Sequence, residues 1–122
     1  MTNSAKSVYF FGIYLYLIGL TLIFIPNLLL QILQIPETNE VWIRVVGLLT
    51  FIIGFYYNRT GAMNNSSFFN LTIPARIIVF TTFVVFVLLK LTSPVLILIG
   101  AVDLAGAIWT WLALKKENLI RS

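Results

Sequence analysis

Residues 94–114 read PVLILIGAVDLAGAIWTWLAL, and this stretch decides the fold class. It is an unbroken apolar run with one charge, Asp103, and no alternation of polar and apolar positions. A membrane β-strand would need about 10 residues of alternating character, whereas a membrane-crossing helix needs about 20 continuous apolar ones. The run is therefore a transmembrane helix. Three more segments of the same kind precede it, at about 8–25, 41–57 and 74–91. Together they predict an all-α integral membrane four-helix bundle, a single domain over residues 1–122. Residues 115–122 would form a cytoplasmic tail.

The composition agrees. Of 122 residues, 60% are apolar and 10% are charged, against about 25% charged in a soluble domain. So much apolar surface cannot be hidden in one small water-soluble core. The first segment follows a single Lys6 and lacks a small-residue cleavage site, so it reads as a retained span. There is no Cys and no His. That excludes disulfides, thiol redox chemistry, Cys/His zinc and His-ligated haem, and no metal or other cofactor is expected in this polypeptide.

Between the first two spans, Pro26 to Pro36 differs in pattern. Asn27, Gln31 and Gln34 form one polar stripe and leucines and isoleucines cover the rest. This predicts a short interfacial helix over about 27–35. Continuing the first span through it would make a helix of ~42 Å, too long for an untilted crossing. Ser93-Pro94 predicts a cap and first helical residue, so the third and fourth spans form a tight hairpin. Asn58 to Asn70 reads as the longest polar connection, and its four N-x-S/T matches read as a by-product of Asn/Ser richness.

Orientation follows from basic residues near span ends. Lys6, Arg59, Arg76, Lys115, Lys116 and Arg121 fall on the side of both termini; Arg44 and Lys90 fall opposite, near Glu37 and Glu40. Both termini are therefore expected in the cytoplasm, in a multi-pass protein of the cell membrane. Trp42 at one boundary and Tyr56, Tyr57, Trp109 and Trp111 at the other suit aromatic belts. The net charge of +4 sits at helix ends and in the tail, which suits a membrane surface and argues against nucleic acid.

Asp103 lies nine positions past Pro94, ~13 Å along a helix and close to the midplane. A carboxylate there costs about 2.5–3.5 kcal/mol and usually faces the bundle interior with a partner. Arg44 and Arg76 are the basic candidates, each expected just inside a helix start, where the dipole opposes a cation. Glu40 precedes Arg44 by four residues and is its local ion-pair partner. Arg76 would either snorkel to headgroups or reach inward to Asp103. By depth Arg44 is a somewhat nearer partner for Asp103 than Arg76 is, and depth alone does not choose between them. Small residues mark the packing faces. Arg44, Gly47, Thr50, Gly54 and Asn58 make one stripe on the second span. Gly100, Asp103, Ala107 and Thr110, with Gly106 nearby, make another on the fourth. Gly12, Tyr16 and Gly19 make a weaker one on the first. The ligand-binding or polar-core candidates are thus Asp103, Arg44, Arg76, Thr50 and Asn58. The helix-packing candidates are Gly47, Gly54, Gly100 and Gly106.

Trp42-Ile43-Arg44-Val45-Val46-Gly47, Tyr56-Tyr57, Ala75-Arg76 and Asp103-Leu104-Ala105-Gly106 with Trp109 resemble the DoxX-like group of small four-helix bacterial membrane proteins. The resemblance runs from about Tyr9 to Lys115. It implies an inner-membrane bundle whose relatives include a subunit associated with quinone-linked sulfur oxidation. In this chain the metal or flavin of any redox role would sit on a partner.

No phosphate-binding glycine loop, Ser/His/Asp set, paired carboxylates, selectivity filter or matched broken helices occur. The leading expectation is a non-enzymatic protein that binds an apolar or amphipathic small molecule or braces a membrane complex. A proton-coupled transporter or permeability protein using Asp103 is the second reading, and an accessory subunit of a quinone-linked oxidoreductase the third. The expected partners are the lipid bilayer and either an apolar small molecule or another membrane protein. Homo-oligomerisation is left open.

Overall fold

A computed structural model describes residues 1–117 of the chain. Among these residues the structure is all-helical. Five helices follow in order: α1 (Asn3–Phe24), α2 (Pro26–Ile32), α3 (Trp42–Ala62), α4 (Ser66–Leu88) and α5 (Leu96–Lys116). The helices α1, α4 and α5 are long and apolar enough to cross a membrane. The similarly long α3 carries Arg44, Tyr56, Tyr57, Asn58 and Arg59 and is less apolar. Large apolar side chains such as Leu17, Leu71 and Leu88, at 62%, 69% and 75% exposure, stand on the outer surface. That is the surface lipid would cover.

Local chemistry sets the helix limits. The Thr2 side chain accepts from the Ala5 N–H and starts α1, and Asn65 does the same for α4 through Phe68. Pro26 lacks an N–H and opens α2 directly after Ile25 ends α1. The ends of α2, α3 and α4 share one device. Gln34, Asn64 and Lys90 adopt positive φ, and the N–H of Ile35, Asn65 and Leu91 returns to the carbonyls of Leu30, Thr60 and Phe86. This closing turn satisfies carbonyls the helix leaves open.

Three boundaries differ from those expected. Asn58 to Asn70 is not a loop, because α3 continues to Ala62, α4 starts at Ser66 and only Met63–Asn65 connects them. Pro74 lies inside α4 instead of opening it. Prolines are tolerated within apolar helices where neighbours re-satisfy the backbone. Arg76 is therefore in the middle of a helix, not at its start. The fourth long helix begins at Leu96, two residues later than expected. Ser93 and Pro94 form a turn whose carbonyls accept from Leu96 and Ile97, and the Ser93 hydroxyl accepts from Val95 N–H. The tail beyond residue 117, including Arg121, lies outside the described residues.

The most extensive interface joins α1 to α3, followed by α4 to α5; α1 also touches α5, α2 and α4, whereas α3 and α4 scarcely meet. The α1–α3 seam is antiparallel, with Ala5 opposite Gly61, Gly12 opposite Gly54 and Gly19 opposite Gly47. On each helix these residues recur every seven positions. A Cβ on Gly12 would lie 2.6 Å from the Asn58 backbone nitrogen, and one on Gly19 2.7 Å from that of Phe51. One on Gly61 would lie 2.8 Å from the Tyr9 nitrogen. The two backbones touch, which only small residues allow. At the end where α1 starts, Thr2 N–H donates to Asn64 Oδ1 and Ser4 N–H to Glu117. The starts of α1 and α4 and the ends of α3 and α5 thus lie together.

Gly12→Ala and Gly54→Ala should each lower stability by about 1–3 kcal/mol, the usual cost of forcing volume into a filled contact. Gly100→Ala should cost less than ~1 kcal/mol, because its new methyl meets the rings of Phe83 and Phe80 at 3.2 and 3.3 Å, and rings can turn. Denaturation of the three variants in mixed detergent micelles measures this. Equal costs at all three positions would remove the special status of the α1–α3 seam.

Candidate functional site

Arg76 is the largest fully buried side chain, at 2% exposure. It projects from α4 between α1, α3 and α5. Thr72, one turn earlier on the same helix, accepts from Nε through its carbonyl at 3.2 Å and from Nη2 through its hydroxyl at 2.8 Å. Thr110 on α5 accepts from Nη2 at 2.8 Å. The guanidinium carbon lies 4.9 Å from the Phe11 ring centroid and 5.7 Å from that of Tyr57, so two aromatic faces help to hold the charge. Gly106 makes the space: a Cβ there would come within 2.9 Å of Nη1. Nη1 is buried and, among the described residues, has no hydrogen-bond acceptor.

The polar chain continues beyond Arg76. The Thr110 hydroxyl is 2.6 Å from that of Ser7, Ser7 donates to the Ser4 carbonyl, and the Ser4 hydroxyl donates to Glu117 Oε1 at 2.6 Å. Since the Ser7 hydroxyl proton is committed to the Ser4 carbonyl, Thr110 donates to Ser7. The chain links the buried guanidinium to the carboxylate at the end of α5. It lies beside an apolar cluster of Ala5, Val8, Phe11, Tyr57, Phe69 and Leu114.

Beyond the edge-to-face contact of Tyr57 with Phe68, α3 and α4 stand apart, and a cavity of about 450 Å³ opens between them. Its walls are mostly apolar, including Leu15, Ile53, Leu71 and Val79, and its polar lining includes Arg76, Thr72, Thr50 and Asp103. A second cavity of about 310 Å³ runs toward α2, beneath Leu29, Leu30 and Leu33. Leu15, Thr50, Val79 and Asp103 border both. Asp103 is 8% exposed and, among the described residues, its carboxylate neither accepts a hydrogen bond nor pairs directly with Arg76. The Tyr14 hydroxyl, on a residue lining the second cavity, is buried without a partner.

The structure therefore brings Asp103, Arg76 and Thr50 to one place. Arg44 is elsewhere. It is exposed, and its guanidinium donates to the carbonyls of Ile23 and Phe24 rather than to Glu40 or Asp103. Ile25, ahead of Pro26, leaves the helical conformation and ends α1, so those carbonyls stay open at a negative helix end, where a cation is favoured. Asn58 is buried in the α1–α3 seam, with Nδ2 3.5 Å from the Tyr9 carbonyl, and does not line the cavity. Its Oδ1 accepts from Arg59. Gly47 and Gly54 lie in that seam, Gly100 lies against Phe80 and Phe83 on α4, and Gly106 lies under Arg76. Thr72, Ser7, Ser4 and Glu117 were not among the sequence candidates. The spacing of Thr72 and Arg76 by four is the available signal, and the proline between them, a residue that usually opens a helix, hides it.

No family model, curated protein or solved structure matches the chain.

Thr110→Val keeps the shape of the side chain and removes the hydroxyl that serves both Arg76 and Ser7. It should lower stability by about 1–2 kcal/mol, toward the upper range for hydrogen bonds between membrane helices. Thr50→Val should change it by less than ~1 kcal/mol, since the Thr50 hydroxyl only bonds back to the Val46 carbonyl. Detergent denaturation of both variants is the measurement; a silent Thr110→Val would deny the chain any energetic part.

Proposed function

We propose that this chain is a non-enzymatic integral membrane protein that takes an apolar or amphipathic small molecule from the bilayer into the cavity between α3 and α4. In this reading α3 is the fourth span and α2 lies in the interface. Lys6, Arg59, Lys115 and Lys116 hold both termini in the bacterial cytoplasm. The resemblance to the DoxX-like group belongs to the same proposal. One observation carries it: a mostly apolar cavity with a buried base and acid in its lining, between two helices that leave a lateral gap. Its volume lies within the ~300–1,000 Å³ usual for small-molecule sites, which combine apolar walls with a few placed polar groups. A protein that only braced a complex would have no reason to leave Asp103 without a bonded partner.

Hexadecanol carrying a diazirine, irradiated with the protein in liposomes, should label α3 and α4 at Ile53, Leu71 or Val79. Ala75→Trp, which fills the cavity mouth, should reduce that labelling about tenfold, equivalent to about 1.4 kcal/mol. Labelling confined to the outer faces and indifferent to Ala75→Trp would end the binding reading.

A second reading rests on the position of Asp103 at the junction of two cavities. Such a group can exchange a proton with either side, as a proton-coupled transporter requires. Here Asp103→Asn should abolish any flux driven by a pH gradient across liposomes. Undiminished flux in the variant would eliminate Asp103 as the proton carrier.

A further inference from the structure

The charges that line the two cavities define the head group of the occupant. The cavity lining holds one base, Arg76, and one acid, Asp103. The two share the lining of the first cavity and, among the described residues, form no direct ion pair. Both charges are removed from water, where an uncompensated ion is costly and an opposite charge offsets that cost. The site as built is thus close to electrically neutral. An anionic head such as a carboxylate would leave it with a net negative charge beside Asp103. A cationic head would leave a net positive charge beside Arg76. An uncharged head leaves the balance intact.

Hydrogen-bond capacity narrows the choice further. Nε and Nη2 of Arg76 are already taken by Thr72 and Thr110, and Nη1 is enclosed against Gly106, which lines neither cavity. The guanidinium thus contributes its charge to the site, and its donors are turned away from the occupant. Among the described residues the Asp103 carboxylate borders both cavities with its acceptor capacity unused. A head placed there is asked for a donor to Asp103. A primary amide or an alcohol provides one. The space sets the tail: cavities of about 450 and 310 Å³ lie in the lower half of the small-molecule range, which suits one chain and not a two-chain phospholipid.

We infer that the occupant is a single-chain amphiphile with an uncharged head that donates to Asp103, a long-chain primary amide or alcohol in chemical class. This rests on the binding reading above. The test uses the full chain in phosphatidylcholine nanodiscs at pH 7, with tritiated hexadecanamide, hexadecanol, palmitate and hexadecylamine as probes, each corrected for uptake by empty discs. Wild-type protein should bind the amide or the alcohol about tenfold tighter than either charged probe. Asp103→Asn leaves Arg76 uncompensated, so the preference should turn toward palmitate. Arg76→Met should turn it toward hexadecylamine. Tighter binding of palmitate or hexadecylamine by the wild-type protein overturns the head-group assignment and leaves the binding reading standing. Saturable binding of none of the four defeats both. The wild-type ranking decides the matter by itself if a variant fails to fold.

Discussion

Backbone-to-backbone contact between α1 and α3 is the constraint on which the remaining arrangement depends. Three small residues on each helix, repeating every seven positions, bring the two chains together without intervening side chains. The contact commits the packing face of α3 to α1. The helix α1 also carries α5 and part of α4 on its other sides, so α3 and α4 are held apart. The gap that becomes the lateral cavity thus follows from how closely two other helices approach. Dispersion contacts supply the attraction, each small and the sum large, because in lipid there is no hydrophobic drive to join apolar helices.

Within that frame the costly element is a buried guanidinium. Arg76 is offset in several ways at once: hydroxyl and carbonyl acceptors on two helices, two aromatic faces and a facing acid. Each is modest. Their convergence depends on Gly106, which leaves room for the guanidinium, and on Thr110, which passes the polar chain to Ser7. The same convergence ties α4, α5 and α1 together at the end where α1 starts and α5 ends. A polar group buried this way specifies one helix register, since a shift by one residue would strand the charge. Site and scaffold are built from the same residues here.

Much of this was legible in the chain. The apolar runs, the break at Pro26, the isolated Asp103 and the stripes containing Gly47, Gly54 and Gly100 are local patterns with local physical meaning. The surroundings of the two arginines were not legible in this way. Arg44 shared a stripe with glycines and so looked inward-facing, yet the open carbonyls at the end of another helix claimed it. Arg76 looked like a residue near a helix start because Pro74 usually marks one, and α4 runs through Pro74. Gly61 was hidden in what read as a polar loop, though its distance of seven from Gly54 continues the seam.

The sequence alone determined that the chain is helical and apolar and that it carries one acid deep within a long apolar run, since these depend on composition and on periodicity along one strand of chain. Only the tertiary structure decided which base shares a cavity with that acid and that α3 and α4 stand apart around it. The reason is physical. Each cation had several candidate acceptors, and the choice among them turned on distances between helices, which are set by the close approach of glycines far apart in the chain.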